Sequence, residues 1–570
     1  MERKSAVAVG ESSARRQKSL QWLIAVVAAF YALLLGVLNI SLALGIRFDG
    51  IFSNIERHVH VATESTAVAP PLLLGLFMLF IAYQLWLKKK AAIVILSLFL
   101  VVESVADVFR GMSPVTAGVS IIVAGVLLSS IKEFPARPDP ASFKRFKVVL
   151  PVLGPLFFVY GVVGLYLMRD SLDLASSPYS LAYRAAMIAV GDSGSLSFTG
   201  WSALYRGSLI ILASIGFIYL TVLLFRPYRE KVGQMVEDHG RARELVGRYG
   251  SDSLAYFNLR MDKNLFFYSD KIFIAYRCVG GIAVISGDPV GPAELVPEIL
   301  AEFKKYCAER GWRFMSLGAR GRYMPLYEEA GLKGFMLGEE AIINLDGFSL
   351  DGRKVRKLRQ SVNKLEKTGV TMEFMFNAGI PAHMKHELQQ ISADWRGGKP
   401  ETGFSMGLGR FMVDEDPDCL LSIAYDGEMK PMGFLYMVPM YPHLGYSIDI
   451  NRTMPGAPRS LIEFMIARTA LFLKENGYQS LSLHFSALSQ HYRADREEPG
   501  SAPWRAVARA IDHVLPVISL YNFDRKFTPG WTSRYIIYQS LLDFPLAGLA
   551  AVSIESALKL RNNGYQALKP

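Results

Sequence analysis

The sequence predicts an α-helical transmembrane bundle of about six spans followed by an α/β domain made of two similar halves. Three observations lead there. Apolar residues make up 51% of the chain and mean hydropathy is +0.24, yet 20% of residues are charged, a mixture expected of a membrane part and a soluble part in one chain. The long apolar runs lie almost wholly before residue 226. Beyond it, short apolar runs alternate with amphipathic helical patterns. A chain of 570 residues exceeds one ordinary domain, and its apolar content excludes a disordered polymer. Its three cysteines, Cys278, Cys307 and Cys419, form no CxxC pair, which excludes a disulfide framework and a zinc ribbon.

The candidate spans are Leu20–Ile46, Pro70–Leu87, Ala91–Phe109, Met112–Ile131, Val148–Met168 and Ser208–Phe225. Each is long enough, or nearly so, to cross ~30 Å of hydrocarbon as a helix. Net charge is +11, and residues 1–231 hold 22 basic against 13 acidic residues. Sixteen of those 22 sit in the N-terminal tail, the Lys88-Lys89-Lys90 turn, the Lys132–Lys147 loop and the Arg226–Lys231 exit. By the positive-inside rule those segments are cytoplasmic, and so is everything after residue 231. Residues 232–570 are close to neutral, with 40 basic and 38 acidic residues, so the charge is chiefly a topology signal. Glu103 and Asp107 stand one helical turn apart in the third span, near its outer interface and next to Arg110.

After a charged connecting helix (Tyr228–Tyr249), Phe266–Ser269, Ile272–Cys278 and Gly281–Ser286 predict an antiparallel meander turning at Gly280-Gly281. Ala293–Arg310 has helical spacing, acids first and bases last, closed by Gly311. Arg313–Leu317 is a strand, Tyr323–Ala330 a short helix and Gly334–Leu345 a strand pair. The order then recurs. Asp351–Thr368 is a helix, Val370–Phe376 a strand, Ile380–Arg396 a helix, and Leu420–Tyr425 with Lys430–Pro439 a hairpin around Asp426-Gly427. Leu444–Asn451, the helix Arg459–Asn476, Ser480–Ser486 and a last strand, Tyr535–Ser540, follow. A meander, a central helix and further strands, occurring twice, resemble tandem GNAT-type acyltransferase units. The expected domains are residues 1–231 (transmembrane), 232–345 (first GNAT-like unit), 346–545 (second, catalytic) and 546–570 (amphipathic tail). Phe544–Leu560 is apolar over much of its surface and either lies on the membrane or packs on the second unit.

No Walker loop, GxGxxG, HExxH or GxSxG occurs in a fitting context. His383 and His386 lie three residues apart with no third ligand near, the pattern of a solvated helix face. In ordinary GNAT enzymes, backbone N–H groups before the central helix grip a coenzyme A pyrophosphate. Here that turn, Asn451 to Pro458, contains Pro455 and Pro458, which remove two donors and point to another acyl donor.

Six ordered stretches carry a more specific resemblance: Gly287-Asp288-Pro289-Val290-Gly291, Leu337-Gly338-Glu339-Glu340-Ala341, Phe348-Ser349-Leu350-Asp351-Gly352 with the basic helix after it, Ile391-Ser392-Ala393-Asp394-Trp395, Tyr446 to Arg452, and Tyr521 to Trp531. In them the domain is similar to the synthase domain of the aminoacyl-phosphatidylglycerol synthases, the bacterial multiple peptide resistance factors. The Leu481–Leu488 stretch looks closer to the actinobacterial lysyl-lipid branch. The resemblance implies transfer of an aminoacyl group, lysyl or alanyl, from aminoacyl-tRNA to an inner-leaflet lipid hydroxyl, phosphatidylglycerol first, at a bacterial inner membrane. Diacylglycerol as acceptor, another acyl donor, and a non-catalytic lipid- or tRNA-binding scaffold are the alternatives. An aminoacyl ester is already activated, so no cofactor or metal is expected; a homo-oligomer is left open. Full-length family members carry a membrane region about twice as large whose first part flips the product, and this chain matches the synthase-proximal part.

The same resemblance marks the site. Asp449 and Arg452 stand at its Asp-x-x-Arg, a carboxylate for the α-ammonium and a guanidinium for phosphate or for orienting the acid. Lys526 and Arg534 lie in the closing basic run and would meet developing oxyanion charge or the lipid phosphate. Glu339, His484, Asn522 and Trp531 are candidate substrate contacts, His484 also a candidate base. Arg353, Lys354, Arg356, Lys357 and Arg359, with Lys364 and Lys367, form a basic helix for tRNA or head-group phosphates, against the ordinary reading of a solvated face.

Overall fold

The computed structural model describes residues 23–45, 69–109, 114–189, 196–230, 236–398, 403–491 and 517–555, apart from isolated positions 25, 42, 173, 175–176 and 442–443. The chain divides into two compact units, residues 1–229 with Tyr306–Trp312, and Glu230–Lys305 with Arg313–Pro570.

The first unit is helical: α1 (Val26–Ser41), α2 (Ala69–Trp86), α3 (Lys90–Phe109), α4 (Pro114–Ser129), α5 (Pro140–Leu167), α6 (Pro178–Ala189) and α7 (Trp201–Phe225). Among the described residues two helices, α5 and α7, are long and apolar enough to cross a membrane; the described apolar stretches of α1 to α4 are shorter. The expectation of six spans is therefore met by two, and the side chains of Glu103 and Asp107 lie outside the described residues. Asp139 caps α5, accepting from the Ser142 N–H at 2.9 Å. Gly161 lets α6 approach closely, since a Cβ there would meet that of Ala185 at 2.7 Å. The basic turns gather at one end of this bundle. Lys89 donates its Nζ to the Phe225 carbonyl at the C-terminus of α7, 2.6 Å away, and the Lys90 N–H bonds the Ala136 carbonyl.

The second unit is built on an 11-stranded sheet in the order β1-β2-β3-β4-β11-β5-β10-β9-β8-β7-β6. Its first half runs from α8 (Val236–Tyr249) through β1 (Asn264–Tyr268), β2 (Ile272–Val279) and β3 (Ile282–Ser286), an antiparallel meander turning at Gly280 and Gly281, both at positive φ. Helix α9 (Val296–Arg310) then crosses to β4 (Arg313–Arg320), parallel to β3. After α10 (Met324–Glu329) comes β5 (Lys333–Asn344). The second half repeats the plan: α11 (Arg356–Lys367), β6 (Thr371–Phe376), α12 (Ala382–Arg396), then β7 (Leu420–Tyr425), β8 (Pro431–Met440) and β9 (Gly445–Thr453) as a meander. Helix α13 (Leu461–Glu475) crosses to β10 (Ser480–Ala487), parallel to β9. Two meanders, each followed by a helix and a parallel strand, are the tandem GNAT-like plan expected from the sequence.

Three expectations change. The predicted strand pair Gly334–Leu345 is one 12-residue strand, long because it pairs with both β10 and β11. The last strand, β11 (Gly530–Tyr538), begins earlier than predicted and inserts between β4 and β5, joining the halves into one sheet. The connecting helix is described from Val236 only, residues 226–230 being non-helical and 231–235 outside the described residues.

In the second half the sheet has a buried core on each side. One holds Ala341, Ile343, Tyr446, Ile448, Leu481 and Leu483 under α11 and α13; the other holds Leu421, Ile423, Phe434, Tyr436 and Ile450 under α8 and α12. Helix α14 (Val517–Asp524) precedes β11. Helix α15 (Phe544–Glu555) packs Ala547, Ala550 and Ile554 on Val284 and Leu317 of the first half and on Phe404 and Ile536, which fall in the expected second unit, so it seats on both, while Leu546, Leu549 and Val552 stay exposed. Residues 556–570 of the expected tail lie outside the described residues.

Candidate active site

The parallel strands β9 and β10 pair only through Gly445–Ser480, Tyr446–Leu481 and Ser447–Ser482. Beyond those three pairs they part, opening a gap in an otherwise continuous sheet. Asp449 is the second residue of β9 past the last pair. It is also a bulge: Ile448 faces Met437 and Ile450 faces Tyr436 on β8, leaving Asp449 without an opposite residue. A bulge shifts the alternation of side chains by one. Ile448 accordingly enters the core under α13 and Ile450 the core under α12. Without it, Asp449 and Arg452, three apart, would face opposite sides. With it, both face α12: an Asp449 carboxylate oxygen accepts from the Leu408 N–H at 3.2 Å, and the Arg452 guanidinium lies 4.0 Å from the centre of the Trp395 ring on α12.

Strand β10 is irregular at the matching height. Ser482 pairs with Ile342 and Phe485 with Glu340, so Leu483 and His484 together stand opposite Ala341. His484 is thus placed in β10 directly beyond the parting point; its side chain lies outside the described residues. Across the bulge, Glu340 on β5 stands two strands from Asp449, on the far side of the gap. Glu340 is buried, accepting from the Ser482 hydroxyl and from Arg534 Nε at 2.8 Å.

Arg534 is 1% exposed, and its guanidinium hydrogens are spent on Glu340, Asp252 (2.6 and 3.1 Å), the Ser253 hydroxyl (2.7 Å) and the Gly318 carbonyl (3.1 Å). Burial pushes the Asp252 carboxyl up, but Arg320 and Arg534 outweigh it and hold it at about 2. Arg320 also bonds Asp288 at 2.8 Å, and the Tyr327 hydroxyl donates to Asp288 at 3.0 Å. This ion cluster fills the end of the β3–β4 pair, where the first half would have its own opening. Beside it lies a cavity of about 420 Å3 lined among others by Asp252, Arg320, Arg322, Trp531, Ser533 and Arg534.

The long segment between α12 and β7 covers Asp449 and is held at three places. Asp416, fully buried, accepts from Arg410 at 2.5 and 2.6 Å and from the Tyr256 hydroxyl at 2.9 Å. Arg260 donates to the Gly403 and Gly407 carbonyls. Glu555, at the end of α15, accepts from the Phe404 and Ser405 N–H groups at 2.7 and 2.8 Å. In the turn before α13, the N–H groups of Met454, Ala457 and Leu461 are spent on the Met432, Met454 and Pro458 carbonyls, and two prolines have none. A pyrophosphate grip of the ordinary GNAT kind has few donors left there.

The remaining candidates lie elsewhere. Glu339, next to Glu340, alternates to the opposite face and accepts from the Ser489 hydroxyl at 3.2 Å. Lys526 pairs with Glu463 in the first turn of α13 at 2.6 Å, in the turn whose Phe527 enters the core under α13. Asn522 is exposed on α14, and Trp531 packs half-buried on that core with its ring 5.0 Å from Tyr521. Arg353, Lys354, Arg356 and Lys357 are exposed at the start of α11, whereas Arg359 turns back onto the Leu350 and Gly352 carbonyls. Sequence reasoning passed over Glu340, Asp252, Arg320 and Asp416. Glu340 and Asp288 stood inside motifs already singled out; Asp252 and Arg320 carry no local signal, because Arg534 is 282 residues from Asp252 and Arg320 is buried with both by the fold. Asp416 has a local partner, Arg410, six residues before it, but its burial against Tyr256, 160 residues away, leaves no mark in the sequence.

Comparison with known proteins adds to this geometry. The family profile described as "Phosphatidylglycerol lysyltransferase, C-terminal" matches residues 243–538. The chain is similar to the lysylphosphatidylglycerol biosynthesis bifunctional protein LysX of Rhodococcus jostii, 28% identical over 93% of this chain and 49% of that protein. It is 30% identical to the protein of the same name from Mycobacterium avium, over 78% of this chain and 38% of that protein. The chain therefore spans about half, or less, of the length of these relatives. The solved structure of L-PGS from Bacillus licheniformis aligns over 57% of this chain and 98% of its own, at 26% identity and a TM-score of 0.50.

Proposed function

Because the chain belongs to the family of phosphatidylglycerol lysyltransferase C-terminal domains, we propose that it is a membrane-bound aminoacyltransferase that moves a lysyl group from lysyl-tRNA to a hydroxyl of phosphatidylglycerol. The observation that carries this reading is the bulge at Asp449, which turns a carboxylate and the Arg452 guanidinium to one side of the gap between β9 and β10. The carboxylate suits the α-ammonium of an aminoacyl ester, and a charge-assisted bond fixes the ester carbonyl beside the gap. The lipid hydroxyl oxygen then attacks that carbonyl carbon. The bond from the carbon to the ribose oxygen breaks, and the hydroxyl proton passes to the ribose oxygen. One ester replaces another, so the exchange needs no further energy source. Glu340 on β5, held by Arg534 and Ser482, and His484, in β10 beyond the parting point, are the candidates for relaying that proton. Arg534 acts as a positioning residue, orienting Glu340 and Asp252. Lys526 and the exposed cations of α11 serve phosphates of the donor or of the head groups.

The membrane part would cross the bilayer six times, with the N-terminus and the synthase unit on the cytoplasmic side. The gathering of the Lys88–Lys90 turn, the Ala136 loop and the end of α7 supports one common side for these segments, and their basic excess makes that side cytoplasmic. The test is lipid extraction from cells expressing the chain, read by mass spectrometry. Lysyl-phosphatidylglycerol is expected, and Asp449→Ala should abolish it with membrane insertion unchanged. An aminoacylated diacylglycerol would move the acceptor, and no new lipid from folded protein would sink the reading.

A further inference from the structure

Trp395 belongs to a motif to which no role has yet been given. It sits near the end of α12, 52% exposed, although Arg452 beneath it is only 8% exposed. One face of the indole is therefore occupied by a nearly buried guanidinium 4.0 Å from the ring centre, and the other face looks outward. A cation against one face draws on the ring quadrupole and fixes the orientation of the ring, so the indole is held as a flat plate instead of swinging as an exposed tryptophan would. Its place in the site is set by the strand. Arg452 is three residues beyond Asp449 on β9 and on the same side because of the bulge, about 10 Å along an extended chain. That span is of the same order as the reach from an α-ammonium held at Asp449, through the ester and ribose, to the base of the terminal nucleotide.

We propose that the outward face of Trp395 is the stacking site for the terminal purine base of the aminoacyl donor, with Arg452 as its fixed backing. A glycerolipid acceptor has no aromatic group, so the plate separates donor from acceptor by chemistry. Base–aromatic stacking tolerates any base because every base offers a π-face, so this contact would locate the donor terminus without reading the amino acid.

This rests on the lysyl-tRNA reading above, and the test keeps the two apart. Full-length protein in phosphatidylglycerol vesicles is assayed with lysyl-tRNA. Two non-reactive inhibitors are compared, a 3′-lysylamido adenosine and the same compound with hydrogen in place of the base. In the wild type the adenine compound should bind at least tenfold more tightly, equivalent to about 1.4 kcal/mol. Trp395→Leu should reduce that ratio to near one, with Trp395→Phe in between and the abasic inhibitor bound equally by all three. A ratio unchanged in Trp395→Leu overturns the proposal, as does an equal loss on both inhibitors, which would mean that Trp395 serves only to hold Arg452. If wild-type protein makes no product from lysyl-tRNA, the functional reading has failed instead, and inhibitor binding by itself still reports on the stacking.

Discussion

At the scale of single residues, the site is set by small departures from regular structure. One extra residue in β9 decides which way Asp449 points, and no pattern of residue types announces a bulge. The sequence places Asp449 and Arg452 at a strand end through their motif, but the side they share becomes visible only from the pairing with β8. Arg534 illustrates the opposite case. Its position was legible, while its commitment to Asp252 and Glu340, residues 282 and 194 positions away, was not. Another buried cation gives a prediction about stability. Lys263 is fully buried, donating to the Phe257 carbonyl and the Ser286 hydroxyl, both at 2.8 Å, and burial brings its pKa down to about 7. Between that value and its ordinary 10.5, the unfolded chain holds a proton that the native state lacks. Its contribution to stability therefore rises with pH across the window, by at most about 5 kcal/mol in all. Lys263→Met should flatten the rise in melting temperature between pH 7 and 9.5, measured by thermal unfolding; a slope equal to that of wild type would contradict the assignment.

At the scale of elements, helices were easier to read than the sheet. Helix α11 repeats buried Leu358, Val362 and Leu365 at helical spacing, with cations on the exposed side, and that amphipathic period is a local signal. The structure narrows the basic run, because Arg359 is spent on the backbone. The exposed cations Arg356, Lys357, Lys364 and Lys367 of α11, with Arg353 and Lys354 before it, remain as candidates for phosphates. Replacing Arg356, Lys357 and Lys364 by Gln should raise KM for lysyl-tRNA severalfold and lower the dependence of log KM on log salt by about two to three, since each lost phosphate contact removes roughly 0.7–0.9 from the slope. An unchanged slope would leave α11 as a solvated face. Helix α15 was legible as apolar, but not its seat. Its small residues, Ala547 and Ala550, fit the sheet where β11 joins the first half, and its larger ones, Leu546, Leu549 and Val552, face outward.

At the scale of the molecule, the charge asymmetry of residues 1–231 makes a direct prediction about topology. With Cys278, Cys307 and Cys419 replaced by Ser, single cysteines at Lys90 and at Arg137 should react with a membrane-impermeant maleimide only after permeabilisation, and one at position 193 in intact cells. Labelling at Lys90 from outside would reverse the assigned orientation. The sequence by itself determined the division into an apolar helical part and an α/β part, the doubled order of elements and the family. Each of these is written in local periods, charge bias or short motifs, which need no knowledge of what lies opposite. Only the tertiary structure decided that β11 enters the middle of the sheet, that β9 and β10 part after three pairs, and that an ion cluster fills the corresponding place in the first half. Those features arise from pairing between strands far apart in the chain. Loop-closure entropy and side-chain fit select such pairings together, and neither leaves a mark in any short stretch of residues.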